Sequence, residues 1–214
     1  SFTMRTTPLE LVPIIIDPHK ANEDLKRTEN LLRNYRQLHN SIYGDKVDIC
    51  DGFFAAKIST LSDITANTQD IPDTFLFNLG SVDSKRFAEF IGFNTLDSAN
   101  QALCSMMFSK YQLDTKMDIG FVGSPNIGSV AINQFKDSNE FKQFSNVFQK
   151  TDRIFIVSSI FGGTGAAGYP IIVKNIRNAE NNTAVNNRGD LRNAKIGALT
   201  VLPYFNIQQD ENSP

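Results

Sequence analysis

The sequence predicts an α/β protein, a parallel-sheet, Rossmann-like sandwich with helices on both faces and an insertion in its first half. Residues 153–177, RIFIVSSIFGGTGAAGYPIIVKNIR, pass from an apolar β-branched run through a glycine loop into a helical pattern. A second glycine turn, residues 120–128, follows another apolar run, and a third apolar run ends in Asp17-Pro18. Strands alternating with helices build parallel sheets with right-handed crossovers.

Residues 1–10 carry no pattern of their own. Leu11-Val12-Pro13-Ile14-Ile15-Ile16 reads as a strand, with Pro13 near its start where a missing N–H is tolerated. Asn22 is the expected N-cap of a helix reaching about Asn40, with Glu23 and Asp24 in its first turn. Leu25, Leu31, Leu32, Tyr35 and Leu38 form its expected apolar side, and Lys26, Arg27, Arg33 and Arg36 its solvated one. Residues 45–73 read as an insertion with weak secondary structure, within a longer excursion over 45–116. Phe75-Leu76-Phe77 reads as a short strand or an anchor, and residues 84–91 and 95–108 as two helices. The second is expected to turn Leu96, Ala99, Leu103, Met106 and Met107 inward.

A third strand is expected from Met117 into the turn Gly120-Phe121-Val122-Gly123-Ser124-Pro125-Asn126-Ile127-Gly128. Val130, Ile132 and Phe135 then begin a helix, which continues or restarts over 140–149. Ile154-Phe155-Ile156-Val157 has the character of a strand buried on both faces. After the loop 161–168, Ile171, Ile172, Val173 and Ile176 recur at helical spacing. Residues 178–193, rich in Asn and charge, read as a loose connection, and 195–202 as the last strand.

Composition narrows the function. The chain has 214 residues and a formal net charge of −2, so nothing in it argues for nucleic acid or an anionic membrane. No apolar run approaches the roughly 18 residues of a membrane span. Cys50 and Cys104 read as free thiols of a cytoplasmic protein, and with only His19 and His39 beside them no zinc pattern appears.

In a parallel sheet the loops after the strands emerge along one edge. Asp17 and the two glycine turns should therefore share a crevice. Each has an ordinary reading by itself: a glycine turn can be a tight strand-to-helix bend, and Asp17-Pro18 a simple turn. Together they favour a phosphate pocket, because glycines bare the backbone and a new helix presents free N–H groups and a positive dipole end.

These residues resemble the nucleotide-binding domain of the tubulin and FtsZ superfamily. Gly162-Gly163-Thr164-Gly165-Ala166-Ala167-Gly168 is similar to that family's Gly-Gly-Gly-Thr-Gly-Thr/Ser-Gly signature, and Gly123-Ser124-Pro125-Asn126-Ile127-Gly128 to the Gly-x-Asn-Pro-Glu-Ile-Gly turn one strand earlier. Residues 196–205, IGALTVLPYF, are similar to the strand after the signature helix. Asp17 falls where the family carries Asn-Thr-Asp, with Ile15 and Ile16 replacing the polar pair. Phe161 departs from the signature by standing where a further glycine is usual. The likeness covers residues 117–205 well and 11–40 loosely, so the chain is expected to be part of a longer nucleotide-binding domain, without its first strand and glycine turn.

The resemblance implies a GTP-binding protein. GTP or GDP phosphates would lie on the amides of Gly162, Gly163, Thr164, Gly165 and Ala166 and on the Thr164 hydroxyl. Gly123, Ser124, Pro125 and Asn126 would approach the γ-phosphate and change shape with nucleotide state, and Asp17 would order Mg²⁺ or a water. It further implies head-to-tail self-association, with hydrolysis needing an acidic loop from a neighbouring subunit. No catalytic residue is assigned within this chain, which alone should not turn over GTP. The alternative is a non-hydrolysing scaffold that recognises a partner protein through residues 45–73. A dinucleotide oxidoreductase is disfavoured because neither turn reads Gly-x-Gly-x-x-Gly with an acidic residue about twenty positions on. A Walker-type NTPase would need a Gly-Lys-Ser/Thr, which the chain lacks.

Overall fold

Strand pairing in the computed structural model is local and parallel. β1 (Glu10–Leu11) pairs with β3 (Lys57–Ile58), β2 (Ile15–Ile16) with β4 (Leu76–Phe77), and β5 (Arg153–Ser159) with β6 (Lys195–Val201). The structure describes residues 8–18, 22–44, 46, 52–65, 71–77, 79, 82–117 and 120–204. Among them the chain is α/β with parallel strands, as expected, but the strands form separate two-stranded sheets where one continuous sheet was anticipated. One local cause is visible. Pro13, which has no N–H to give a ladder, lies in the break between β1 and β2. The turn expected after the strand from Met117 does form: Gly120–Gly123 coils into a 3₁₀ turn with Phe121 at φ 55 and Gly123 at φ 70. Residues 118 and 119 of that expected strand lie outside the described residues.

Helix α1 (Glu23–Tyr43) begins as anticipated, the Asn22 side chain accepting from the Asp24 N–H at 2.9 Å. Its packed face is only partly the expected one, with Leu32 and Tyr35 half-buried and Tyr35 against Phe54. Leu25 is buried, but Leu31 and Leu38 are exposed, whereas Arg33 and Arg36 turn toward the body. Arg36 pairs with Asp63 at 3.0 Å and Asp73 at 3.5 Å, and the Arg33 guanidinium lies 5.8 Å from the Phe75 ring centroid. The described residues of 45–73 hold little regular structure, yet they are bound into the body. β3 pairs with β1, α2 (Leu61–Ile64) starts with a Thr60–Asp63 capping box, and Ile58, Thr60 and Leu61 are buried. Asp45 and residues 47–51 and 66–70 lie outside the described residues.

The core is built largely from phenylalanine. Phe77, Phe135, Phe141, Phe144 and Phe148 form a chain of ring contacts that starts with a perpendicular pair at 4.8 Å. α6 (Pro125–Asn133) runs through this core and buries Ile127, Ala131 and Ile132. α7 (Asn139–Val147) closes it with Phe141, while α3 (Phe87–Phe90) and α5 (Lys110–Asp114) add Phe87 and Leu113. α4 (Ser98–Met107) corrects an expectation. Leu103, Met106 and Met107 do not face inward; they are exposed, Met106 at 86%. The periodicity is helical, but among the described residues no element covers that face.

Around α8 (Thr164–Arg177) the chain order strand, glycine loop, helix, strand is as expected. Burial of β5 on both faces is not. Ile154 and Ile196 pack against the core, whereas Phe155 and Val157 are each 66% exposed, on the face that also carries Leu199 and Val201. Among the described residues, helix α8 covers one side of this pair; on the other, Phe155 lies over Gly197, where a Cβ would come within 2.7 Å of its ring. The Asn-rich connection is not loose either. It forms α9 (Arg188–Arg192) and buries Val185 and Leu191. Asn187, in the left-handed region at φ 47, donates its side-chain amide to the carbonyls of Ser145, Asn146 and Phe148 and so caps the end of α7.

Candidate functional site

β5 delivers the chain to the loop 161–168 through Ser158 and Ser159. Gly162 stands at φ 76, a conformation that glycine adopts without penalty, and is exposed. Gly163 is buried and takes the N-cap position of α8, where it offers no side-chain acceptor. The first-turn amides of α8 therefore receive no side-chain cap. Gly165 is required by packing, since a Cβ there would collide with Ser159 Oγ and come within 3.0 Å of the Ser159 backbone. Thr164 is half-buried and its Oγ1, shielded from solvent, makes no hydrogen bond. Ala166 is half-buried beside it.

The second turn meets the first. A Cβ on Gly128, at the end of the first turn of α6, would lie 2.6 Å from the Gly163 carbonyl oxygen and 2.9 Å from Ala167 Cβ. The N-terminal turns of α6 and α8 are thus in backbone contact, and only glycine at 128 permits it. Pro125 occupies the first position of α6, and the Ser124 side chain makes no capping bond because it accepts from Gln112 Nε2 at 3.2 Å. Gly123 and Asn126 are exposed, and Phe121, whose ring lies against Gly128, is fully buried. A bulky residue at positive φ costs about 1–3 kcal/mol. Burial of the ring offsets that strain and fixes the turn.

The structure therefore brings together Gly162, Gly163, Thr164, Gly165 and Ala166 with the turn that carries Gly123, Ser124, Pro125 and Asn126. Asp17 is half-buried at the end of β2, which pairs with β4. Among the described residues no three His, Cys, Asp or Glu side chains gather as a metal site. Nor is any helix there long and apolar enough to cross a membrane.

Electrostatically the meeting point is distinctive. Neither 120–128 nor 161–168 contains a charged residue, yet two helices of 9 and 14 residues bring their positive ends together there. Like dipole ends side by side repel, and an anion between them removes the penalty. The perturbed carboxylates lie at other places. Burial would raise the Asp63 pKa, but hydrogen bonds from the Thr60 backbone and hydroxyl and the charge of Arg36 hold it below its usual range. Glu10 is likewise lowered, burial being overcome by Ser59 and Lys57. A cavity of about 20 Å³ beside Pro13, Leu61, Ile71 and Phe77 has room for about one water and no nucleotide.

Sequence reasoning overlooked Ser158 and Ser159 as parts of the loop. Ser158 Oγ donates to the Gly165 carbonyl at 2.7 Å and Ser159 Oγ to that of Phe161 at 2.8 Å. Two hydroxyls ending an otherwise apolar strand were the available signal. No family model, curated protein or solved structure matches this chain.

Proposed function

We propose that this chain binds the phosphates of a guanine nucleotide on the joined N-termini of α6 and α8, in the manner of the tubulin and FtsZ superfamily. The observation that carries the reading is the contact of Gly128 with Gly163, which sets two uncapped helix ends side by side with no cationic residue in either turn. Backbone amides then supply the binding, and a phosphate oxygen offsets the dipole repulsion. Guanine as the base comes from the motif resemblance alone. By the same resemblance, Mg²⁺ would arrive with the nucleotide and keep its phosphate and water ligands, with Asp17 as the candidate protein ligand. Self-association and hydrolysis between subunits follow from the same resemblance, and the isolated chain is expected to bind without turnover.

The test is calorimetric titration of the chain with GTP, ATP and NAD in the presence of Mg²⁺. Saturable GTP binding, tighter than for the other two, is the expected result, and no saturable binding of GTP removes the proposal. The scaffold alternative draws on one residue, Phe53, which is 88% exposed within 45–73. It requires that Phe53→Ser abolish partner capture while Thr164→Ala leaves it intact.

A further inference from the structure

We infer that Ser159, assisted by Ser158, is a positioning residue that aims the loop's amide hydrogens at the bound phosphate; this deepens the nucleotide reading above and depends on it. The peptide unit is planar and trans, so its C=O and N–H point in opposite directions. Fixing a carbonyl therefore fixes the following amide. Ser159 Oγ donates to the Phe161 carbonyl at 2.8 Å and draws that oxygen back toward the end of β5. The N–H of the same peptide belongs to Gly162, and it is turned away from the strand, toward the exposed side of the loop. Ser158 Oγ, donating to the Gly165 carbonyl at 2.7 Å, fixes in the same way the peptide that carries the Ala166 N–H, one of the first-turn amides of α8.

Gly165 serves the same arrangement. Its missing Cβ leaves the notch that Ser159 Oγ occupies, so the serine and the glycine are a matched pair. Without the hydroxyl, Gly162 keeps its freedom at φ 76 but loses what selects one orientation of its peptide. A loop that must be ordered when the ligand arrives binds more weakly than one already ordered. The two serines touch no ligand themselves. Their contribution appears only for ligands that carry phosphate.

Ser159→Ala and Ser158→Ala separate this role from a purely structural one when dissociation constants for GTP and for guanosine are measured side by side, with thermal midpoints as a check on folding. Loss of one orienting hydrogen bond is expected to weaken GTP about three- to tenfold in Ser159→Ala and less in Ser158→Ala, with guanosine unchanged. An unchanged GTP constant in both variants, or equal weakening of GTP and guanosine, overturns the assignment. Should the parent chain itself fail to bind GTP, the nucleotide reading falls first and this inference with it.

Discussion

Replacing Gly128 with alanine probes the contact on which the site depends, and Gly168 provides an internal control. The Gly128 Cβ would stand 2.6 Å from the Gly163 carbonyl oxygen, 2.9 Å from Ala167 Cβ and 3.0 Å from Phe121 Cδ2. None of these is the end of a flexible side chain, so the helices themselves must part, which places the cost near the upper end of overpacking at about 3 kcal/mol. Alanine returns about 1 kcal/mol through helix propensity, leaving a net loss of about 2 kcal/mol. At Gly168 the nearest atom to a Cβ is Ile132 Cδ1 at 3.7 Å, an ordinary contact, so only the propensity gain remains. At about 2–4 °C per kcal/mol for a chain of this size, Gly128→Ala should melt about 4–8 °C below the parent and Gly168→Ala about 2–4 °C above it. Differential scanning calorimetry reads both. A Gly128→Ala variant as stable as the parent, or a Gly168→Ala variant harmed as much, would refute the claim that α6 and α8 meet at their first turns.

Further predictions concern other parts of the molecule. Asn187→Ala removes the three hydrogen bonds that cap α7 and puts a Cβ-bearing residue without a side-chain amide at φ 47; urea denaturation should show a loss of about 2–3 kcal/mol, and Asn187→Gly a smaller one. Asp63 has a folded pKa below its unfolded one, so its contribution to stability is complete above the unfolded value and disappears as pH falls through the folded value. Urea midpoints taken from pH 6 down to pH 3 should therefore fall less steeply in Asp63→Asn than in the parent, and parallel curves would count against the Thr60–Asp63–Arg36 network. Met106→Ala on the uncovered face of α4 should change stability by less than about 0.5 kcal/mol, whereas Met117→Ala, fully buried, should cost about 2–4 kcal/mol. Equal effects at the two methionines would mean that α4 is covered.

The unit from β5 to β6 was legible because its signals are contiguous: a β-branched run, a glycine loop and a helical period occur in that order within one stretch. The N-cap of α1 was legible for the same reason, Asn22 and two acids lying next to one another. The turn over 120–123 was legible from its glycines, but its 3₁₀ form was not: what decides at Phe121 is the tertiary pocket that holds its ring, and no local rule reports that. Leucine spacing on α1 and α4 gave the helices but not the side that is covered, since the polar partners of Arg33 and Arg36 come from Asp63 and Asp73, far along the chain. The clamp made by Asn187 was equally hidden, because Asn-rich composition says nothing about which distant carbonyls the amides will find. Within the site, the two glycine turns were foreseen to meet, and at Gly128 and Gly163 they do.

The most direct measurement is amide-resolved: ¹⁵N–¹H spectra of the chain titrated with GTP and Mg²⁺, following the N–H signals of residues 123, 124, 126–128 and 162–166 together. The account predicts that both sets shift along one saturation curve with a common dissociation constant, since one polyphosphate touches both helix ends. Shifts confined to one turn, to other surfaces of the molecule, or absent at saturating nucleotide would contradict it.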